Sequence, residues 1–272
     1  ILFSGTLPMS HIALGGFSPL FIAFSRAVLA AMAAGLVLVI LKKPWPTGKV
    51  WPLFAAGLCL IFGFPIFSSI AMQTIPASHG GVVLGILPLL TSIFSAIIDG
   101  ERPGKAFWAF GILGAALVVF YAVHDHGYTP EIGDLWLFAA AVSASCGYVI
   151  SGRLARNLSG WEVISWALII CLPLSLAGTL ATWSTGVFVT APSQLAALAY
   201  LGLISMFLGF VFWNAGLAMG GIARVAQVQL LQSFFTIALS ALLLREEIAL
   251  KTILFAAAVA TIVWLGRKSK IV

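Results

Sequence analysis

The chain has 272 residues, of which 61% are apolar and only 8% charged, and its mean hydropathy is +1.12. A soluble domain needs about 25% charged residues to cover its surface, so this composition excludes one and describes a chain solvated by lipid. The net charge of +6 does not indicate a nucleic-acid partner, because no basic face alternates with base-stacking aromatics.

A helix needs about 20 apolar residues to cross a hydrocarbon core of roughly 30 Å. The first apolar stretch, residues 1–14, falls short of that length. Because the chain begins at Ile1 rather than Met, a further piece of this helix is expected ahead of it. Spans then follow at 19–41, 50–73, 80–98, 106–123, 134–156, 161–183, 194–217, 222–244 and 249–266. The predicted fold class is an all-α integral membrane protein with ten transmembrane helices. The gaps are short and carry Pro44 and Pro46, Pro76, Pro103 with Gly104, Pro130 with Gly133, Pro192, and Gly220 with Gly221, as expected of tight connections between antiparallel neighbours.

Eleven of the fourteen Lys and Arg residues fall in every second gap: Lys42, Lys43 and Lys49, then Arg102 and Lys105, Arg153 and Arg156, Arg224, and finally Arg267, Lys268 and Lys270. Loops rich in Lys and Arg are retained on the cytoplasmic side, so the alternation both counts crossings and orients them. It predicts a multi-pass protein of a bacterial plasma membrane with both termini cytoplasmic, Lys42 and Lys268 inside, and Asp125 and Glu131 outside. The excess positive charge then faces anionic inner-leaflet lipid. The gap at 124–133 has no Lys or Arg and divides the chain into halves at 1–123 and 134–272.

Sliding the second half over the first by 145 positions aligns Gly57, Leu58, Phe62 and Phe67 with Gly202, Leu203, Phe207 and Phe212. Thr91, Ser95, Ala96 and Glu101 meet Thr236, Ser240, Ala241 and Glu246 in the same register. Five helices per half is an odd number, so the two copies must have opposite topology. Inverted repeats of this kind are the physical basis of alternating access, with a substrate held near the midplane between the halves.

The fourth helix of the first half reads Pro88 through Ser95 and ends in Gly100-Glu101, and Gly111 and Gly114 follow in the fifth. The second half reads Ser233 through Ser240, then Arg245-Glu246, then Ala256 and Ala260. This pattern resembles the drug/metabolite transporter superfamily with its paired EamA-type repeats, over nearly the whole chain. The second copy departs from it at Arg245 and Ser233. The resemblance implies a plain ten-helix carrier similar to bacterial amino-acid and metabolite exporters.

Chemistry-bearing residues are few. No Asp or Glu lies at mid-depth in a span, so a carboxylate proton relay or an acid–base active site is not expected, and neither is an enzyme. Cys59, Cys146 and Cys171 sit singly in apolar runs, and His124 and His126 flank Asp125 without further ligands, so no metal and no cofactor is expected. No nucleotide-binding motif is present.

The candidate substrate-binding residues are polar or aromatic groups inside the spans. Arg26 is the only fixed charge well inside a span; it either snorkels to headgroups or meets a substrate carboxylate. His79 stands at the start of the fourth helix. Gln227, Gln229 and Gln232 lie on the ninth helix, where Gln229 and Gln232 are about 60° apart and share a face. Trp213 and Asn214 on the eighth helix, Ser68, Met72 and Gln73 on the third, and Tyr148 on the sixth complete the set. Such a wall suits a ligand with an apolar body and a polar head, such as a neutral or aromatic amino acid. Gly111 and Ala115 on the fifth helix and Ala256 and Ala260 on the tenth form small-xxx-small pairs. Those helices are expected to pack with each other or across a homodimer. A channel-like or scaffold protein without alternating states, or a multidrug exporter, is the alternative reading.

Overall fold

The computed structural model describes residues 1–100, 104–125, 131–183 and 190–267. In chain order these form α1 (Thr6–Leu14), α2 (Pro19–Ile40), α3 (Val50–Ala71), α4 (Ala77–Asp99), α5 (Lys105–Asp125), α6 (Ile132–Leu154), α7 (Gly160–Ala181), α8 (Pro192–Gly220), α9 (Ile222–Leu244) and α10 (Leu250–Arg267). No strand occurs among the described residues. Among the described residues, seven helices, α2–α4 and α6–α9, are long and apolar enough to cross a membrane. The protein is therefore a multi-pass membrane protein, because the exposed residues of these helices include Met32, Leu36, Leu180 and Phe212, which would otherwise face water.

The helix ends are set by local chemistry. Ser18 caps α2 by accepting a hydrogen bond from the Phe21 amide at 3.2 Å, with Pro19 preset in the first turn. Glu131 and Asp134 form a capping box at the start of α6, and Ser159 and Glu162 form one at the start of α7. Several helices are irregular inside. α3 widens to a π-helix at Leu58–Gly63, just before Pro65, and α8 widens at Tyr200–Leu208. α4 tightens to a 3₁₀ turn at Leu84–Ile86, where Pro88 leaves the Leu84 carbonyl without its helical donor. α9 tightens likewise at Gln227–Gln229.

Packing runs mostly between the two parts of the chain. α2 lies along α7, α3 along α6, α1 against α8, α4 against α9, and α5 against α10. Small residues permit the close approaches. Ala27, Ala30, Ala31 and Ala34 form the buried face of α2, and Gly147 of α6 lies under Leu60 and Cys59 of α3. The expected contact between the fifth and tenth helices is thus made within one chain. The side chains of Gly111 and Ala115, and residues 101–103, 126–130, 184–189 and 268–272, lie outside the described ones, so Glu101, His126 and the basic tail are not placed. The side chains of His124, Asp125 and Gln227 are likewise outside them.

Candidate functional site

The helices enclose a cavity at their common centre, where the irregular turns of α3 and α8 face each other. Leu60 from the wide turn of α3 and Ser205 from the wide turn of α8 both line it. Phe3 and Thr6, at the start of the chain, close one side, and Tyr148 of α6 and Gln232 of α9 close another. The enclosed space is about 10 Å³, room for about one water molecule.

Among the described residues, Arg26 provides the only charge at this cavity. It is 2% exposed, so it does not snorkel to headgroups. Its Nη2 donates to Ser205 Oγ at 3.1 Å, and Ser205 Oγ lies 2.7 Å from Thr6 Oγ1. Nε and Nη1 have no hydrogen-bond partner among the described residues. A guanidinium presents its donors as a planar fork that matches a carboxylate. A buried one with two idle nitrogens is therefore a ready receiver for such an anion.

Beside the cation lies an aromatic cluster. Tyr148 packs against Trp213 at 5.3 Å and Phe210 at 6.1 Å between ring centroids. Phe3 meets Phe210 edge-on at 5.0 Å and Trp213 at 6.1 Å. The Tyr148 hydroxyl accepts from Gln229 Nε2 at 2.9 Å, which leaves Gln229 Oε1 and Trp213 Nε1 buried and unpartnered among the described residues. The site thus combines one cation, several idle polar atoms and an apolar wall. It holds no nucleophile–base pair, and no metal-holding cluster occurs among the described residues.

The sequence matches the EamA-like transporter family over residues 1–123 and 131–266. The chain belongs to the EamA-like transporter family. The uncharacterized transporter YdeK of Bacillus subtilis (strain 168) is 39% identical over 253 residues, 91% of this chain and 87% of its own length. The aromatic amino acid exporter YddG of Ancylobacter novellus is 28% identical, over 72% of this chain and 66% of that one. A probable terminal-alkyne amino-acid exporter of Streptantibioticus cattleyicolor is 25% identical, over 80% and 73%. A solved crystal structure shares the fold with a TM-score of 0.69, covering 97% of this chain and 91% of its own at 22% identity.

In this EamA-like transporter the residues expected to share one space divide into two groups. Arg26, Tyr148 and Gln232 line the central cavity, while Gln229 and Trp213 touch its Tyr148 wall. Ser68, Met72, Gln73 and Asn214 are not among its lining residues. Ser68 hydrogen-bonds back to the Pro65 carbonyl at 3.3 Å. Met72 is buried beneath Gly80 of α4, and Gln73 is exposed in the turn after α3. Asn214 Nδ2 donates to the Gly160 carbonyl at 3.3 Å and ties α8 to α7. Helix phase could not separate these roles, because a polar side chain can face a neighbouring helix as well as a cavity.

His79 belongs to a different place. Its Nε2 lies 2.8 Å from Asp134 Oδ1 and its ring stacks on Tyr121 at 5.0 Å. His79 and Tyr121 border a second, wider cavity of about 310 Å³ at that end of the molecule. Phe3, Thr6, Leu60, Phe64, Ala144, Ser205 and Phe210 also line the central cavity and were not signalled by their residue types. The repeat register contained a pointer to some of them. Phe3 and Tyr148 stand 145 positions apart, and so do Leu60 and Ser205.

Proposed function

We propose that this EamA-like transporter exports small amphipathic carboxylates, namely neutral and aromatic amino acids, across a bacterial plasma membrane by alternating access. The observation that carries the reading is Arg26, the one buried cation at the central cavity, with Nε and Nη1 idle beside aromatic walls. Burying an arginine at a helix centre costs about 2.5–3.5 kcal/mol, a cost that a bound carboxylate offsets. An ammonium group finds the free carbonyl oxygen of Gln229 and the faces of Tyr148 and Trp213. Two relatives named as amino-acid exporters agree with this substrate class.

Two inverted five-helix halves supply the motion. The packing supports this, because exchanging the halves maps one set of contacts on another. α3 on α6 becomes α8 on α1, and α2 on α8 becomes α7 on α3. The repeat-related pairs Phe3 with Tyr148 and Leu60 with Ser205 meet at the same cavity. A cavity this small holds no amino acid until the halves separate, since ligand pockets run to roughly 300 Å³ or more. That requirement fits a carrier passing through a closed intermediate better than an open channel. Lys43, Arg153 and Arg156 mark the cytoplasmic end.

Counterflow in proteoliposomes tests the substrate class. A panel of neutral amino acids, their decarboxylated amines and organic cations should give saturable exchange with the amino acids only. Equal exchange of the amines, or a flux that never saturates, contradicts the proposal.

A further inference from the structure

Both ends of the interface between the two parts of the chain are tied, by different chemistry. At the end that carries Lys43, Asp99 at the close of α4 receives Arg156 Nη2 at 2.6 Å and Arg156 Nη1 at 3.1 Å. Arg153 Nη1 donates to the Ile98 carbonyl at 2.7 Å, so Arg153 of α6 and Arg156 just beyond its end hold the last turn of α4. At the opposite end the first turn of α4 is held. Glu246, between α9 and α10, accepts the Ala77 amide on one carboxylate oxygen and the Ser78 amide on the other, each at 3.0 Å. The His79–Asp134 pair ties the same turn to α6. α4 is therefore pinned to the second part of the chain at both tips, and between them its Leu87 carbonyl and Thr91 hydroxyl bond to Ser145, the neighbour of the cavity residue Ala144.

We propose that Glu246 is the gate residue of the His79 end, and that withdrawal of its carboxylate from the α4 amides is the step that opens the central cavity toward that face. Three features carry this. A carboxylate across two free amides at a helix start makes charge-assisted hydrogen bonds and also meets the positive end of the helix dipole, so it holds firmly without any cation of its own. Glu246 stands in a short connection, preceded by Arg245 in the left-handed region at φ 56°, so it can swing away without unwinding α9 or α10. It borders the 310 Å³ cavity, so its side chain has space to withdraw into, while the central cavity is closed to about the size of one water molecule. The Asp99 cluster is the opposing latch, and the balance of the two sets which face the cavity meets.

The inference rests on the alternating-access reading. Its test uses the full chain with Cys59, Cys146 and Cys171 replaced and a single reporter, Ala144→Cys, at the central cavity. A membrane-impermeant thiol reagent is applied from each face of oriented proteoliposomes, and amino-acid counterflow is measured in the same vesicles. Glu246→Gln should speed labelling from the His79 face by about tenfold and slow it from the other. Asp99→Asn should do the opposite. Unchanged rates in Glu246→Gln, or the same direction of change in both variants, overturn the gate. Absence of counterflow in the parent overturns the carrier reading instead. A second arm does not depend on how well Glu246→Gln folds. In Ser78→Cys/Glu246→Cys, a short bifunctional thiosulfonate should abolish counterflow and a reductant should restore it; persistence of flux in the cross-linked protein also overturns the gate.

Discussion

Arg26 shows how much one residue can say in an apolar chain. Its charge is visible in the sequence because nothing else charged lies so far inside a span, and the structure adds that two of its nitrogens are idle. Thr6 and Ser205, which orient it, were not legible. Hydroxyls in apolar helices commonly bond to their own backbone, as Ser25 does to Phe21, Ser92 to Pro88 and Ser175 to Cys171. Only the fold distinguishes those that cross between helices, as Thr6 and Ser205 do. Two predictions belong at this scale. Gln232→Ala should weaken amino-acid binding about five- to thirty-fold with folded yield preserved, because it removes a polar contact worth roughly 1–2 kcal/mol. Trp136→Phe should leave counterflow near the parental rate, since Trp136 stacks on Phe67 at 5.7 Å and is not among the cavity residues.

At the scale of elements, the apolar runs located the seven helices that are long and apolar enough to cross a membrane among the described residues. The spans read at 19–41, 50–73 and 222–244 correspond to Pro19–Ile40, Val50–Ala71 and Ile222–Leu244. What escaped was the irregularity inside the helices. Pro65 and Pro88 hint at it in α3 and α4, but the wide turn of α8 has no proline or other residue that announces it. Close approach is similarly hidden. The carbonyl carbon of Asn214 and the Cα of Ala215 lie 2.9 and 3.0 Å from where a Cβ on Gly160 would stand, so backbone blocks any side chain there. Gly160→Ala should lower stability by about 1–3 kcal/mol, read as an earlier thermal transition in detergent. Gly35→Ala meets only the flexible tip of Ile169 at 3.3 Å, and its transition should move much less.

For the molecule as a whole, the charge alternation and the repeat register are the grounds on which two halves of opposite orientation are proposed, and the same proposal pairs the packing of α3 on α6 with that of α8 on α1. The sequence could not show that α4 is pinned at both tips, because the Glu246 contacts join positions 168 and 169 residues apart through backbone amides, which carry no residue-type signal. The proposed orientation has its own check. In intact cells, an impermeant thiol reagent should label Asp125→Cys and miss Lys268→Cys; labelling at position 268 would reverse the topology. The central claim is that the carrier reads a substrate carboxylate with Arg26. Counterflow of a neutral amino acid through wild type and Arg26→Gln, reconstituted at equal folded amounts, tests it most directly. Saturable exchange in the wild type, reduced at least about tenfold in Arg26→Gln, is the predicted result; exchange at the parental rate in Arg26→Gln would contradict it.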